Sequence, residues 1–241
     1  MLKALFLLLK AAKLGKILLT SGTMLLSVLA YSLIFGWRYS VGFVALIFVH
    51  EMGHYIAARR RGLDVGLPTF IPFVGAWIQL KDMPHNAETE AFVGIWGPLA
   101  GTFGALACYY LGREYGSQLL LALAYAGFFL NLFNLIPVLP FDGGRISAVI
   151  SPKLWLLGAP VLIALFFYRP SPLLIVVVLL AAPQIMRAFK GVTDASQPYY
   201  LASAETRLSY ALLYIGLAGF LAIMCHELSL ELPQAGGGIS S

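Results

Sequence analysis

His50-Glu51-Met52-Gly53-His54 puts two imidazoles and a carboxylate within five residues. On a helix, histidines at i and i+4 share one face at a spacing that suits a single zinc ion. The glutamate beside them is placed as a general base toward a water molecule. The chemistry of such a set is metal-assisted hydrolysis. The segment lies inside Val41–Ala58, a run otherwise apolar enough for a membrane span. Ionisable groups there are costly and usually mark function. The plainer reading is a pair of histidines packed between helices, with Glu51 bonded to a neighbour.

Hydrolysis at zinc needs a third protein ligand and one open position. The other imidazoles are His85, expected in a solvated loop (Lys81–Asn86), and His226, expected at the outer end of the last span. Asp142 is the stronger candidate, within Asn134-Leu-Ile-Pro137-Val-Leu-Pro140-Phe-Asp142-Gly143-Gly144-Arg145. The prolines should end the preceding span, and the two glycines should permit a tight turn. Taken alone, Asp-Gly-Gly is equally an ordinary turn.

The elements that must carry these residues are legible in composition. The chain has 241 residues, 60% hydrophobic and 11% charged, too apolar to hide in one soluble core. We expect an all-α membrane protein, a polytopic helical bundle of about six to seven spans. They lie near Ile17–Trp37, Val41–Ala58, Ala91–Leu111, Ser117–Ile136, Leu154–Tyr168, Leu173–Met186 and Leu208–Cys225. Residues 1–16, with Lys3, Lys10, Lys13 and Lys16, read as a basic amphipathic segment on the membrane surface and a retained anchor. Residues 17–226 form the transmembrane domain, with a core at about 41–144, and 227–241 read as a disordered tail. Cys108 and Cys225 read as packing residues.

With Arg59-Arg60-Arg61 placed in the cytoplasm, alternation puts thirteen of the sixteen basic residues there. Only Arg38, Arg113 and Arg169 fall outside. Trp37 and Tyr39 then fall at the outer boundary, where aromatic anchors are common. The second span runs inward, so His54 and His50 lie roughly 7 and 13 Å above Arg59 at 1.5 Å per residue. The fourth span also runs inward and ends near Asp142. Topology therefore brings Asp142 to the leaflet of the histidines and favours the ligand reading. Between the two motifs, Leu63–Leu80 is apolar, but Gly66, Pro68, Pro72 and Gly75 break any helix. It reads as a re-entrant loop or short β-hairpin beside the site, either a strand edge for an extended substrate or a structural plug.

HEMGH at 50–54 and NLIPVLPFDGG at 134–144 together resemble the site-2 protease family of intramembrane zinc metalloproteases, peptidase family M50. A weaker match is Gly97-Pro98-Leu99-Ala100-Gly101. The resemblance implies that His50, His54 and Asp142 bind one Zn2+ per chain. It also implies that Glu51 is the catalytic base and that Asn134 helps stabilise the oxyanion. Asn131, one turn earlier, is expected to make an interhelical hydrogen bond. Two departures stand out. Leu139 sits where family members often have a second proline, and Gly101 where many have asparagine, so Gly101 is given no catalytic role. Gly94, Gly97, Gly101 and Gly104 thin one face of the third span, for packing more than for substrate entry. No inserted PDZ-like or nucleotide-sensing domain is legible.

The implied activity is that of an intramembrane zinc endopeptidase cutting within or next to transmembrane segments, with regulated intramembrane proteolysis as a wider role. Its partners would be a transmembrane protein substrate and the lipid bilayer, with no nucleic acid. The implied setting is a prokaryotic cell membrane, multi-pass, with the N-terminus cytoplasmic and the site in the cytoplasmic half. Two alternatives differ in kind. A catalytically inactive zinc-binding scaffold would not require Glu51. A metal or ion transporter would need polar groups on both sides of the midplane.

Overall fold

In hydrocarbon a backbone must satisfy its own polar groups, so apolar stretches of this length become helices. The computed structural model describes residues 2–73, 75–78, 84–168, 170–190 and 198–232. Among them are eight α-helices: α1 (Leu2–Phe35), α2 (Trp37–Arg60), α3 (Ala87–Glu114), α4 (Gln118–Asn134), α5 (Asp142–Ile150), α6 (Trp155–Tyr168), α7 (Pro172–Phe189) and α8 (Ala204–Glu231). The chain is thus an all-α membrane protein. Four helices, α1, α2, α3 and α8, are long and apolar enough to cross a bilayer by length and composition, while α4, α6 and α7 are shorter apolar helices.

Several helix ends are written locally. Gly36 takes φ 79° and separates α1 from α2, a conformation that a side chain resists. Asn86 caps α3 by accepting from the Thr89 N–H at 2.8 Å, with Glu88 and Glu90 in the first turn. Ser203 caps α8 in the same way through the Thr206 N–H.

Three boundaries differ from expectation. α1 runs unbroken from Leu2 to Phe35, so no break marks residue 17. α8 continues to Glu231, into the stretch expected as a tail, and residues 233–241 lie outside the described residues, as does Lys81. The third difference bears on the site. Gly143 and Gly144 make no turn but lie in the first turn of α5, a helix absent from the sequence reading. Their lack of a side chain serves packing. A Cβ on Gly143 would lie 2.2 Å from the Leu135 carbonyl oxygen, and one on Gly144 would lie 2.4 Å from the Leu139 nitrogen. Two glycines thus let α5 fold back against residues 135–139.

Gly144→Ala is expected to destabilise the protein by about 3 kcal/mol, at the upper end for overpacking, because the obstacle is backbone. Thermal unfolding in detergent checks this, and an unchanged midpoint would mean that the fold-back tolerates a methyl group.

α3 is the central helix and packs on α2, α4 and α5, while α8 lies against α4 and α5. α6 and α7 pair beside the 135–141 segment, where Val138, Phe141, Leu162, Val177 and Ala181 form one buried cluster. That segment is pinned at several points. The Leu139 N–H donates to Gln184 Oε1 of α7 at 2.7 Å, and the Tyr214 hydroxyl of α8 donates to the Leu135 carbonyl. Arg207 donates to the carbonyls of Ile150, Tyr200 and Ala202, so a terminal carbonyl of α5 is satisfied by α8.

Between α2 and α3, β1 (Thr69–Ile71) and β2 (Gly75–Trp77) form an antiparallel hairpin, with Phe70 opposite Ala76. Phe70 is buried with Tyr31, Val44 and Ile47. Side chains of α1 take up backbone donors of the hairpin: Phe70 N–H to Thr23 Oγ1 at 3.3 Å and Phe73 N–H to the Tyr31 hydroxyl at 3.2 Å. The Tyr31 ring meets both Phe73 and Phe43. Phe43 precedes His50 by seven residues, about 10 Å along the helix. The hairpin leaves the Arg61 end of α2 and reaches past the level of the histidines, so it is re-entrant.

Candidate metal centre

α2 and α3 approach closely at the HEMGH segment, and glycines make this possible. A Cβ on Gly53 would lie 2.2 Å from the Trp96 carbonyl oxygen, and one on Gly97 would lie 2.2 Å from the His54 ring. His54 is thereby pressed onto α3, where its Nδ1 meets the Val93 carbonyl at 2.8 Å. A carbonyl can only accept, so Nδ1 carries the proton and the Nε2 lone pair is free. His50 Nδ1 meets Asn131 Oδ1 of α4 at 2.7 Å.

The two freed Nε2 atoms converge on Asp142, the first residue of α5. His50 Nε2 lies 3.2 Å from one carboxylate oxygen and His54 Nε2 lies 3.2 Å from the other, with 3.1 Å between the two nitrogens. His50, Glu51, His54 and Asp142 are each at most 7% exposed. Three acceptor groups facing one another in a buried space repel unless a cation joins them. Ligands about 2.0–2.1 Å from a tetrahedral zinc ion stand roughly 3.3 Å apart, close to all three separations. The donor set, two imidazoles and one carboxylate, also suits zinc. His50, His54 and Asp142 could therefore hold the ion.

Glu51 lies on the same turn of α2. It lines a cavity of about 110 Å3 with His50, His54 and Asp142, and Asn134, Pro140 and Arg145 are also among its lining residues. Ala76 and Ile78, in and just after β2, also line it, so the hairpin borders the site. Asn134, the last residue of α4, donates to the Leu130 carbonyl at 3.0 Å. One amide N–H remains for another acceptor.

His85 and His226 are exposed and do not line this cavity. The glycine face of α3 is filled by side chains: Gly94 by Arg145 and Ile146, Gly97 by His54, Gly101 by Asn131, and Gly104 by Leu46 and Val49. It is a packing face. Arg145 was missed as a cavity residue. It lies three residues after Asp142, a same-face spacing on a helix, but the expected turn hid that relation. At the basic end of the bundle, Arg61 stacks over Phe92 and the Tyr199 hydroxyl donates to Glu90 at 2.6 Å. Burial and the Glu90 carboxylate raise the Tyr199 phenol above its usual range, so it stays a donor.

Part of the chain is similar to known proteins. The model of peptidase family M50 matches residues 38–116, which include HEMGH and the glycine-rich face of α3 but end before Asn134 and Asp142. A zinc metalloprotease of Methanocaldococcus jannaschii is 29% identical over 134 residues, covering 53% of this chain and 38% of that protein. Rip3 of Mycobacterium tuberculosis, also named a zinc metalloprotease, is 35% identical over 114 residues, 44% of this chain and 29% of its own. The chloroplastic EGY2 of Oryza sativa, likewise named, is 29% identical over 147 residues, 43% of this chain and 27% of its own. The chain thus spans less than two fifths of the length of each. Over residues 38–116, which carry HEMGH, the chain is therefore similar to peptidase family M50, and it is similar to several proteins named zinc metalloproteases.

Proposed function

We propose that the chain is an intramembrane zinc endopeptidase. In this reading His50, His54 and Asp142 hold one zinc ion, Glu51 is the general base, and Asn134 stabilises the oxyanion. The observation that carries it is the convergence of three buried ligand atoms beside Glu51 on the wall of a cavity between apolar helices. Zinc supplies Lewis acidity, lowering the pKa of water and polarising the scissile carbonyl. Glu51 takes one proton as the water oxygen bonds to the carbonyl carbon. The remaining Asn134 N–H faces the charge that develops on the carbonyl oxygen. Glu51 then returns its proton to the nitrogen as the C–N bond breaks, and the second proton of the water passes from the new carboxyl group to the amine, leaving a carboxylate and an ammonium group.

A transmembrane substrate hides its peptide bonds in helical hydrogen bonds and must unwind before attack. β2 supports a way to hold the unwound segment. Its Ala76 borders the cavity, and an extended chain beside it would add a strand. Substrates with helix-breaking residues near the cut should therefore be preferred. The basic residues that end α2 support a cytoplasmic position for the site and an inward N-terminus. Release of a membrane-tethered regulator is the wider role this activity would serve. Scaffold and transporter are less well supported, because Glu51 shares the cavity wall and the polar residues gather at one end of the bundle.

The test is cleavage of a single-span reporter by purified protein in detergent. Chelation should abolish cleavage, added zinc should restore it, and a glycine or proline near the cut should speed it. Cleavage indifferent to chelation would overturn the assignment. A full series of reporters left uncut by zinc-loaded protein would also count against it.

A further inference from the structure

Asn131 lies behind the site and does not line the cavity. Its side chain is 1% exposed and makes two bonds. Nδ2 donates to the Gly127 carbonyl at 2.7 Å, one turn back on α4, and Oδ1 meets His50 Nδ1 at 2.7 Å. The first bond settles the second. A carbonyl can only accept, so the amide nitrogen must face Gly127 and the oxygen must face His50. His50 is therefore held with its proton on Nδ1 and its Nε2 lone pair toward Asp142.

Space for this carboxamide is cut from α3. A Cβ on Gly101 would lie 2.3 Å from Asn131 Oδ1 and 2.7 Å from Nδ2. His54 has the same device in another form, a backbone acceptor at Val93 and a clearance at Gly97. One ligand imidazole is thus oriented by a carbonyl that no side-chain substitution removes. The other depends on a single side chain and the glycine that seats it.

We propose that Asn131 is a positioning residue of the zinc site, reaching from α4 to orient His50 on α2, and that Gly101 is its seat on α3. The inference rests on the zinc site proposed above. Partners of this kind behind a ligating histidine fix its tautomer, and losing one typically weakens metal binding by about 10–100-fold. Gly101 matters here through Asn131, so the two positions should act as one unit.

The experiment measures zinc affinity by chelator competition on the full-length protein in detergent, alongside the melting temperature of the zinc-free form. Asn131→Ala is expected to bind zinc about 10–100-fold more weakly. Its zinc-free melting temperature should stay close to the parent value. Gly101→Ala, which pushes the carboxamide out of place, should weaken zinc comparably. In the Asn131→Ala background, adding Gly101→Ala should cost little more. Parent-like affinity for Asn131→Ala would overturn the proposal, as would additive losses in the double variant. A loss of affinity accompanied by collapse of the zinc-free melting temperature would assign Asn131 to packing instead. A parent that binds no zinc would defeat the zinc site itself, an outcome distinct from all of these.

Discussion

Glu51→Gln is expected to leave zinc content at the parent level and to slow cleavage of a single-span reporter by about 10²–10⁴-fold, the usual contribution of a positioned acid–base group. That range corresponds to about 3–5 kcal/mol of transition-state free energy. The amide keeps the size and reach of the side chain but cannot take a proton from water at neutral pH. Glu51 occupies the turn between His50 and His54 and lines the same cavity, yet the three close ligand separations do not involve it. Metal binding and proton transfer should therefore separate in this variant. Metal analysis on the purified protein, paired with the reporter assay, checks both. Zinc lost with activity would make Glu51 a ligand, and parent-like cleavage would remove it from the chemistry.

Asp142→Asn should do the reverse and remove the metal. The substitution preserves shape, but it replaces the charged ligand with an amide whose NH2 group must face one of the two Nε2 atoms. Two neutral imidazoles then remain as strong donors. Zinc affinity should fall by more than the roughly 10–100-fold typical of residues behind the ligands. At a fixed low zinc concentration cleavage should fall in step and recover partly with excess metal. The backbone of α5 is set by Gly143 and Gly144 against residues 135–139, so circular dichroism should be unchanged. Parent-like affinity would remove Asp142 from the ligand set and leave the convergence of His50, His54 and Asp142 without a role.

The legible features were those encoded along one segment. A run of apolar residues in a membrane has one backbone solution, so the helices appeared close to their expected positions. His50 and His54 lie four apart, and that spacing alone puts them on one face. Gly66, Pro68 and Pro72 forbid a helix, and the hairpin stands where they sit. The chain misled where local propensity and packing disagree. Two consecutive glycines read as a turn because they favour helix poorly, but the close approach of α5 to residues 135–139 outweighs that preference. The unbroken α1 is a similar case: charge marked a boundary near residue 17, but nothing there stops the helix.

Asn131 shows the other limit. An asparagine in an apolar helix must find a partner, so an interhelical bond was foreseeable. That the partner is His50 follows from how α2, α3 and α4 cross, and Gly101, given no catalytic role, matters as the space that Asn131 fills. By itself the sequence determined the class of molecule, the HExxH helix and the break in helix between the motifs, where a loop or hairpin was expected. These follow from periodicity, charge and backbone sterics, which act within a single segment. Tertiary structure alone decided the convergence of Asp142 with the two Nε2 atoms, the place of Arg145 in the cavity and the acceptors that fix each imidazole. Those depend on contacts of a few ångströms between helices far apart in the chain, set by where glycines let backbones meet.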